Sequence, residues 1–214
     1  MNELAPGVWH VDGFPRNAVN AYVIGDVLID AGSVLDGRRV MRQIDGRDVA
    51  AHALTHAHID HYGPSHMICE RLGIPLWCGS GDVEAVEAGK MVARGDRLVP
   101  GPAAHPVARA LREGDRVADF TVLDTPGHSP GHVSYWRESD RVLICGDVMW
   151  GWNPFLMRGP IREPFGLVTP DVALNRESAR RIAALEPSLV CFGHGPPLRD
   201  PSKLSAAVAK LPAG

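Results

Sequence analysis

The chain has 214 residues, 45% of them hydrophobic and 22% charged, an ordinary globular balance that fits one domain with a substantial core. Its net charge of −3 offers nothing to a nucleic acid or an anionic membrane surface. The opening MNELAPGVWH has neither a basic start nor an apolar core, and no apolar run approaches the roughly 18 residues of a membrane span, so a cytoplasmic protein is expected.

In chain order, VWHVD (8–12), VNAYVI (19–24) and VLID (27–30) are short β-like runs punctuated by Gly13, Pro15 and Gly25-Asp26, the pattern of an antiparallel meander. A helix is predicted from about Val34 to Ile44, with Val34, Val40, Met41 and Ile44 facing inward. A buried strand over 49–54 follows, then a helix over 64–72 with Met67, Ile68 and Leu72 inward. A strand over 74–78 and a short acidic helix over 81–88 come next. Residues 89–106 carry Lys90, Arg94, Arg97 and three prolines and read as an ordered surface loop. Three more strands are predicted at 116–124, 132–136 and 141–145. A long loop over 148–170, a helix over 172–185, a strand over 188–192 and a C-terminal helix over 201–211 complete the chain. Strands and helices in this order predict a mixed α/β domain with two sheets spanning 1–214. Cys69, Cys78, Cys145 and Cys191 sit in apolar contexts without C-x-x-C spacing and read as buried free thiols.

The chemistry concentrates in THAHIDHYG, residues 55–63. His56, His58, Asp60 and His61 fall in six consecutive positions at a predicted strand end. If the chain stays extended, His56, His58 and Asp60 share one side and His61 faces elsewhere. Imidazoles and a carboxylate so close together are ligands for Zn²⁺ or a similar divalent ion. Three later positions share a signature, each just after a predicted strand and beside glycine: His128 in TPGHSPGH, Asp147 in CGD and His194 in FGHG. Glycine there allows close backbone approach, and strand ends gather side chains from distant parts of a chain. Seven nitrogen and oxygen ligands suffice for two metal ions sharing one carboxylate.

The order H-x-H-x-D-H, P-G-H-S, G-D, G-H-G resembles the metallo-β-lactamase superfamily over nearly the whole chain. The resemblance implies a four-layer αβ/βα sandwich. It places His56, His58 and His128 on one metal, Asp60, His61 and His194 on a second, and Asp147 between them. Zn²⁺ is the first candidate for both ions, with Fe or Mn as alternatives. An aspartate at 147, with TPGHSPGHVSY, is most similar to the glyoxalase II-like branch rather than to true β-lactamases. Only about 20 residues follow His194, so the helical region with which glyoxalase II grips glutathione is not expected.

The implied activity is hydrolysis of a thioester, lactone or related ester by a hydroxide held between two metals, with Asp60 orienting it. No G-x-S-x-G supplies a side-chain nucleophile. Trp150, Trp152 and Phe155, close after Asp147, and Tyr62, beside His61, are candidates for an apolar substrate pocket, although the rings could equally pack the loop down. Arg158 and Arg162 are weaker candidates for meeting a substrate carboxylate. For His132 a hydrogen-bonding role beside the ligands is favoured over ligation. His10, His52, His66 and His105 stand alone in the sequence and are not expected to be ligands. The alternatives are a mononuclear iron persulfide dioxygenase-like enzyme on the same scaffold and a non-enzymatic metal binder. The expected partner is a small-molecule substrate. A homodimer is compatible with the sequence, which fixes no oligomeric state.

Overall fold

A computed structural model describes residues 1–92 and 101–212. Among them, seven strands form one sheet in sequential order: β1 (Asn2–Ala5), β2 (Val8–Val11), β3 (Ala21–Ile24), β4 (Val27–Ile29), β5 (Ala51–Ala53), β6 (Leu76–Gly79) and β7 (Val107–Leu111). The first four pair antiparallel, β2 to β4 as the predicted meander, and β4 to β7 pair parallel. The second sheet holds β8 (Arg116–Val117), β9 (Phe120–Asp124), β10 (Val133–Arg137), β11 (Val142–Gly146) and β12 (Leu189–Phe192), ordered β12-β11-β10-β9-β8. Only β11 and β12 pair parallel in it.

The apolar runs sort by the two-residue period of a strand. On β3, Tyr22 and Ile24 face the second sheet, while Ala21 and Val23 pack under α1 (Gly37–Ile44) and α3 (Ser65–Leu72). On β11, Val142 and Ile144 face the first sheet, while Leu143 and Cys145 pack under α5 (Val172–Ala184) and α6 (Pro201–Val208). Both faces of each central strand are therefore buried, which is why these strands read as continuous apolar runs. The result is helix, sheet, sheet, helix: the predicted αβ/βα sandwich. The four cysteines are buried and free, as expected. No helix of the described residues is long and apolar enough to cross a membrane.

The structure departs from the sequence reading at several places. Edge strands β1 and β7 were not predicted, and β7 alternates exposed Ala108 and Ala110 with half-buried and buried neighbours. The expected strand over 116–124 is broken into β8 and β9 by a turn at Ala118, whose φ of +49° is left-handed. Helix α1 begins at Gly37, so Val34 lies before it and is 54% exposed; Val40 and Ile44 face inward as expected. On α3 the buried apolar residues are Ile68 and Cys69, beside buried Ser65, and Met67 and Leu72 reach the surface. The acidic segment forms a 3₁₀ turn over Ser80–Asp82 and then α4 (Val83–Glu87). Arg94 and Arg97, in the loop predicted over 89–106, lie outside the described residues.

Strand direction sets up the site. β4 and β5 run the same way, and so do β9, β11 and β12. The segments that leave their carboxyl ends carry Asp30, His56 to His61, His128, Asp147 and His194, the arrangement in which open α/β sheets collect ligands.

Candidate metal centre

The chain leaves β5 through Leu54 and Thr55 and stays extended to His58, whose φ and ψ are −105° and 148°. It does not stay extended to Asp60. The N–H groups of His61 and Tyr62 donate back to the His58 carbonyl at 2.9 and 3.0 Å, closing a single helical turn, α2 (Ile59–Tyr62). Asp60 and His61 therefore reach the site from a helix rather than by strand alternation.

All seven predicted ligands converge. His56, His58 and His128 bring candidate ligand atoms within 4.8 Å of one another, and so do Asp60, His61 and His194. The Asp147 carboxylate lies between the two triads. Its Oδ2 is 3.4 Å from His128 Nε2 and 3.2 Å from His194 Nε2, and its Oδ1 is 3.6 Å from His61 Nε2. Six of the seven are buried, and Asp60, its side chain 37% exposed, faces solvent.

Hydrogen bonds set which ring nitrogen points inward. The His56 Nδ1–H donates to Thr55 Oγ1 at 2.9 Å, and that hydroxyl donates to Asp30 Oδ2 at 2.7 Å. The His61 Nδ1–H donates to the same Asp30 oxygen at 2.9 Å. His128 Nδ1 bonds Thr169 Oγ1 at 3.0 Å, and His194 donates through Nδ1 to the Ala18 carbonyl at 2.5 Å. His58 is turned the other way, its Nε2 donating to the Val92 carbonyl at 2.6 Å and leaving Nδ1 inward. His56 Nε2, His128 Nε2 and Asp147 Oδ1 are buried with no hydrogen-bond partner. Leaving such atoms unpaired costs about 1–3 kcal/mol each. A cation among them removes that cost, and imidazole nitrogen with carboxylate oxygen is a donor set that divalent transition metals accept. The residues fit a metal.

The triads differ in proton balance. Burial lowers the pKa of His56, and it lowers His58 to about 3, so both are neutral at physiological pH. Burial also opposes charge on His61 and His194, but neighbouring carboxylates outweigh it: Asp147, Asp60 and Asp30 raise His61, and Asp147 with Asp60 raises His194 to about 10. Burial likewise opposes charge on Asp60 and Asp147, and the same histidines hold both below the usual carboxylate range.

Sequence reasoning missed two carboxylates that hold the ligands, Asp30 and Asp82, whereas the hydrogen-bonding role expected of His132 is what the structure shows. Asp30, buried at the end of β4 with φ +55°, accepts from the Thr55 N–H, the Thr55 hydroxyl and His61. Asp82, also buried, accepts from the backbone N–H of Ala57 and Gly131 and from the Ser129 hydroxyl at 2.6–2.8 Å, tying the first ligand loop to the His128 loop. His132 bonds Thr125 through Nδ1 and accepts the Asp147 N–H through Nε2 at 3.1 Å, so it braces a ligand's backbone and its nitrogens are committed. A Cβ at position 193 would lie 2.0 Å from Asp147 Oδ1 and 2.7 Å from His61 Cε1, so only glycine fits beside the centre.

Of the expected pocket residues, Trp150 does reach the centre. It is buried, its indole donates to Asp147 Oδ2 at 2.7 Å, and its ring stands edge-on to His128, His194 and Phe165. Trp152 is half-buried. Phe155 is 80% exposed and stacks on Phe165 with centroids 5.7 Å apart. Tyr62 is a correction. It is 1% exposed, packs with Leu54, Cys69 and Leu76, and donates its hydroxyl to the Lys90 carbonyl, so it belongs to the core rather than to a pocket mouth. Arg162 lies over the Phe165 ring, 4.1 Å from its centroid, and Arg158 is exposed. His10 pairs with Asn20, and His52 with Leu28 and Ser65. His66 and His105 do not stand alone: they face each other beside Glu70.

Residues 15–194 match the family profile of the Metallo-beta-lactamase superfamily. The chain is 30% identical over 203 residues to the "Probable metallo-hydrolase YflN" of Bacillus subtilis (strain 168), a match covering 80% of this chain and 76% of that protein. It is 31% identical over 169 residues to a hydroxyacylglutathione hydrolase of Bdellovibrio bacteriovorus, covering 76% of this chain but 54% of that enzyme. A protein solved in a di-iron-bound form superposes with a TM-score of 0.73 at 28% identity, covering 91% of this chain and 95% of that one.

Proposed function

Since the chain belongs to the metallo-beta-lactamase superfamily, and the residues that converge in it fit divalent metal, we propose that it is a hydrolase with a two-ion centre that cleaves a thioester, lactone or related ester. The observation that carries the proposal is the Asp147 carboxylate, which stands within 3.6 Å of histidine nitrogens from both triads. The complete Asp60, His61 and His194 triad favours two ions over the mononuclear iron arrangement of a persulfide dioxygenase-like enzyme. Zn²⁺ suits the nitrogen and oxygen donors, and the di-iron form of a structural neighbour keeps iron as the alternative.

Divalent ions bound there supply Lewis acidity toward a carbonyl oxygen and toward water. The protein supplies the rest. Asp60, ionised and partly exposed, can accept a hydrogen bond from a water at the solvent face and orient it toward an acyl carbon. Thr55, Asp30, Thr169 and the Ala18 and Val92 carbonyls fix the rings, so their nitrogens need little reorganisation. Trp150 closes one wall and keeps water from the Asp147 carboxylate. The thiols offer no competing nucleophile, since all four are buried and burial pushes Cys69 and Cys191 up to about 12. The relationship to hydroxyacylglutathione hydrolase supports thioesters as the first substrates to try, and this chain spans 54% of that relative's length.

The test is metal removal with a chelator, followed by assay on acyl thioesters, lactones and phosphodiesters before and after adding back Zn²⁺ or Fe²⁺. Thioester or lactone hydrolysis that disappears with the metal and returns with it is expected. Hydrolysis that persists without metal, or oxygen uptake with a persulfide, would overturn the proposal.

A further inference from the structure

Away from the centre, another cluster of metal-type donors lies on the outer side of α3. His66 and Glu70 are four residues apart on that helix, so they share one face and project toward the same point. His105, in the segment before β7, is brought against them from outside the helix. Its backbone N–H donates to the Val86 carbonyl, and it is 7% exposed. The two imidazoles meet Nδ1 to Nδ1 at 3.1 Å with their planes 69° apart, and Glu70 Oε1 lies 3.9 Å from His105 Nδ1.

We propose that His66, Glu70 and His105 bind one divalent transition-metal ion at a site that shares no residue with the main centre. Ligand atoms from all three lie within 4.8 Å of one another. A tetrahedral Zn²⁺ with nitrogens at about 2.0–2.1 Å separates its ligand atoms by about 3.3 Å, close to the observed nitrogen pair. A hydrogen bond between the rings would engage one nitrogen of each and leave the carboxylate only a loose 3.9 Å pairing with His105. An ion engages all three groups. Two nitrogens and one oxygen select Zn²⁺, Co²⁺, Ni²⁺ or Cu²⁺ over Mg²⁺ or Ca²⁺. Glu70 is 66% exposed, so a fourth position is open to water or to another donor. The ion would pin the segment carrying His105 to α3 and hold the entry to β7.

Counting ions tests this without reference to activity or to the number bound at the main centre. Metal-stripped protein is titrated with Zn²⁺ against a chromophoric chelator, in the wild type and in His66→Gln, His105→Gln and Glu70→Gln, with circular dichroism as the folding control. The histidine variants are expected to bind one equivalent fewer than the wild type, and Glu70→Gln to bind that equivalent about tenfold more weakly. Should buried His105 prove necessary for folding, half-buried His66 decides alone. An equal count in His66→Gln, or unchanged affinity in Glu70→Gln, would overturn the site and leave a hydrogen-bonded histidine pair.

Discussion

His56 and His58 are neutral rings that burial strips of their protons, whereas His61 and His194 are rings that Asp147 and Asp60 keep protonated when no metal is present. The two triads sit side by side and share Asp147, yet they meet a cation differently. In the three-imidazole triad, His56 and His58 offer lone pairs at once. The mixed triad must exchange protons for metal. One side is organised by geometry and the other by charge, so the ions should differ in affinity and in pH dependence.

The comparison breaks most completely at the shared group. Asp147→Ala should empty both positions and reduce kcat/KM by more than the roughly 10–100-fold typical of losing a group behind a ligand. Metal content and hydrolysis rate check this; retention of both ions would remove Asp147 from the bridging role. The groups behind the ligands sharpen the contrast. Asp30 holds His61 directly and His56 through Thr55, so Asp30→Asn should weaken both positions, by about 10–100-fold in metal affinity. Thr55→Val should weaken chiefly the three-imidazole position. Competitive metal titration of the two variants separates them, and identical profiles would refute the assignment of one relay to each side.

Protonation gives a smaller, graded effect. His194 is raised to about 10 from an ordinary 6.5, so in the metal-free protein its stabilising share is fully present below pH 6.5 and is lost as pH rises through about 10. Metal binding near pH 8 must expel that proton. Affinity at the mixed position should therefore fall about tenfold per pH unit for each displaced proton as pH drops. Calorimetry in two buffers of different ionisation heat should show net proton release at that position, and no release would contradict the charge balance drawn here. The smallest change is expected at the loop tip. Phe155→Ala removes a ring that is 80% exposed, so thermal unfolding should shift by no more than about 0.5 kcal/mol, while a raised KM would place the loop against substrate.

The ligands were legible because they are local: one hexapeptide and three glycine-flanked strand ends carry all seven. The sandwich was legible because its central strands are apolar on both faces. The role of His132 behind Asp147 was legible too, but the carboxylates that hold the ligand loops were not. Asp30 and Asp82 each sit 25 residues from the loop they brace, and an aspartate after a strand or before a short helix reads as a turn residue. Alternation was carried too far past His58, where backbone bonds to its carbonyl close a helical turn. Tyr62 follows a ligand in sequence, but that same turn sends its ring into the core. The edge strands β1 and β7 lack the apolar runs of the interior strands because much of their surface meets water. His66 and His105, 39 residues apart, are neighbours only after folding.

The most direct measurement is anomalous diffraction from crystals of the metal-loaded protein, collected on both sides of the metal's absorption edge. Two peaks are expected at the centre, one about 2.0–2.2 Å from His56 Nε2, His58 Nδ1 and His128 Nε2, the other at that distance from Asp60, His61 and His194, with Asp147 touching both. A single peak there, or none within reach of Asp147, would contradict the two-ion centre.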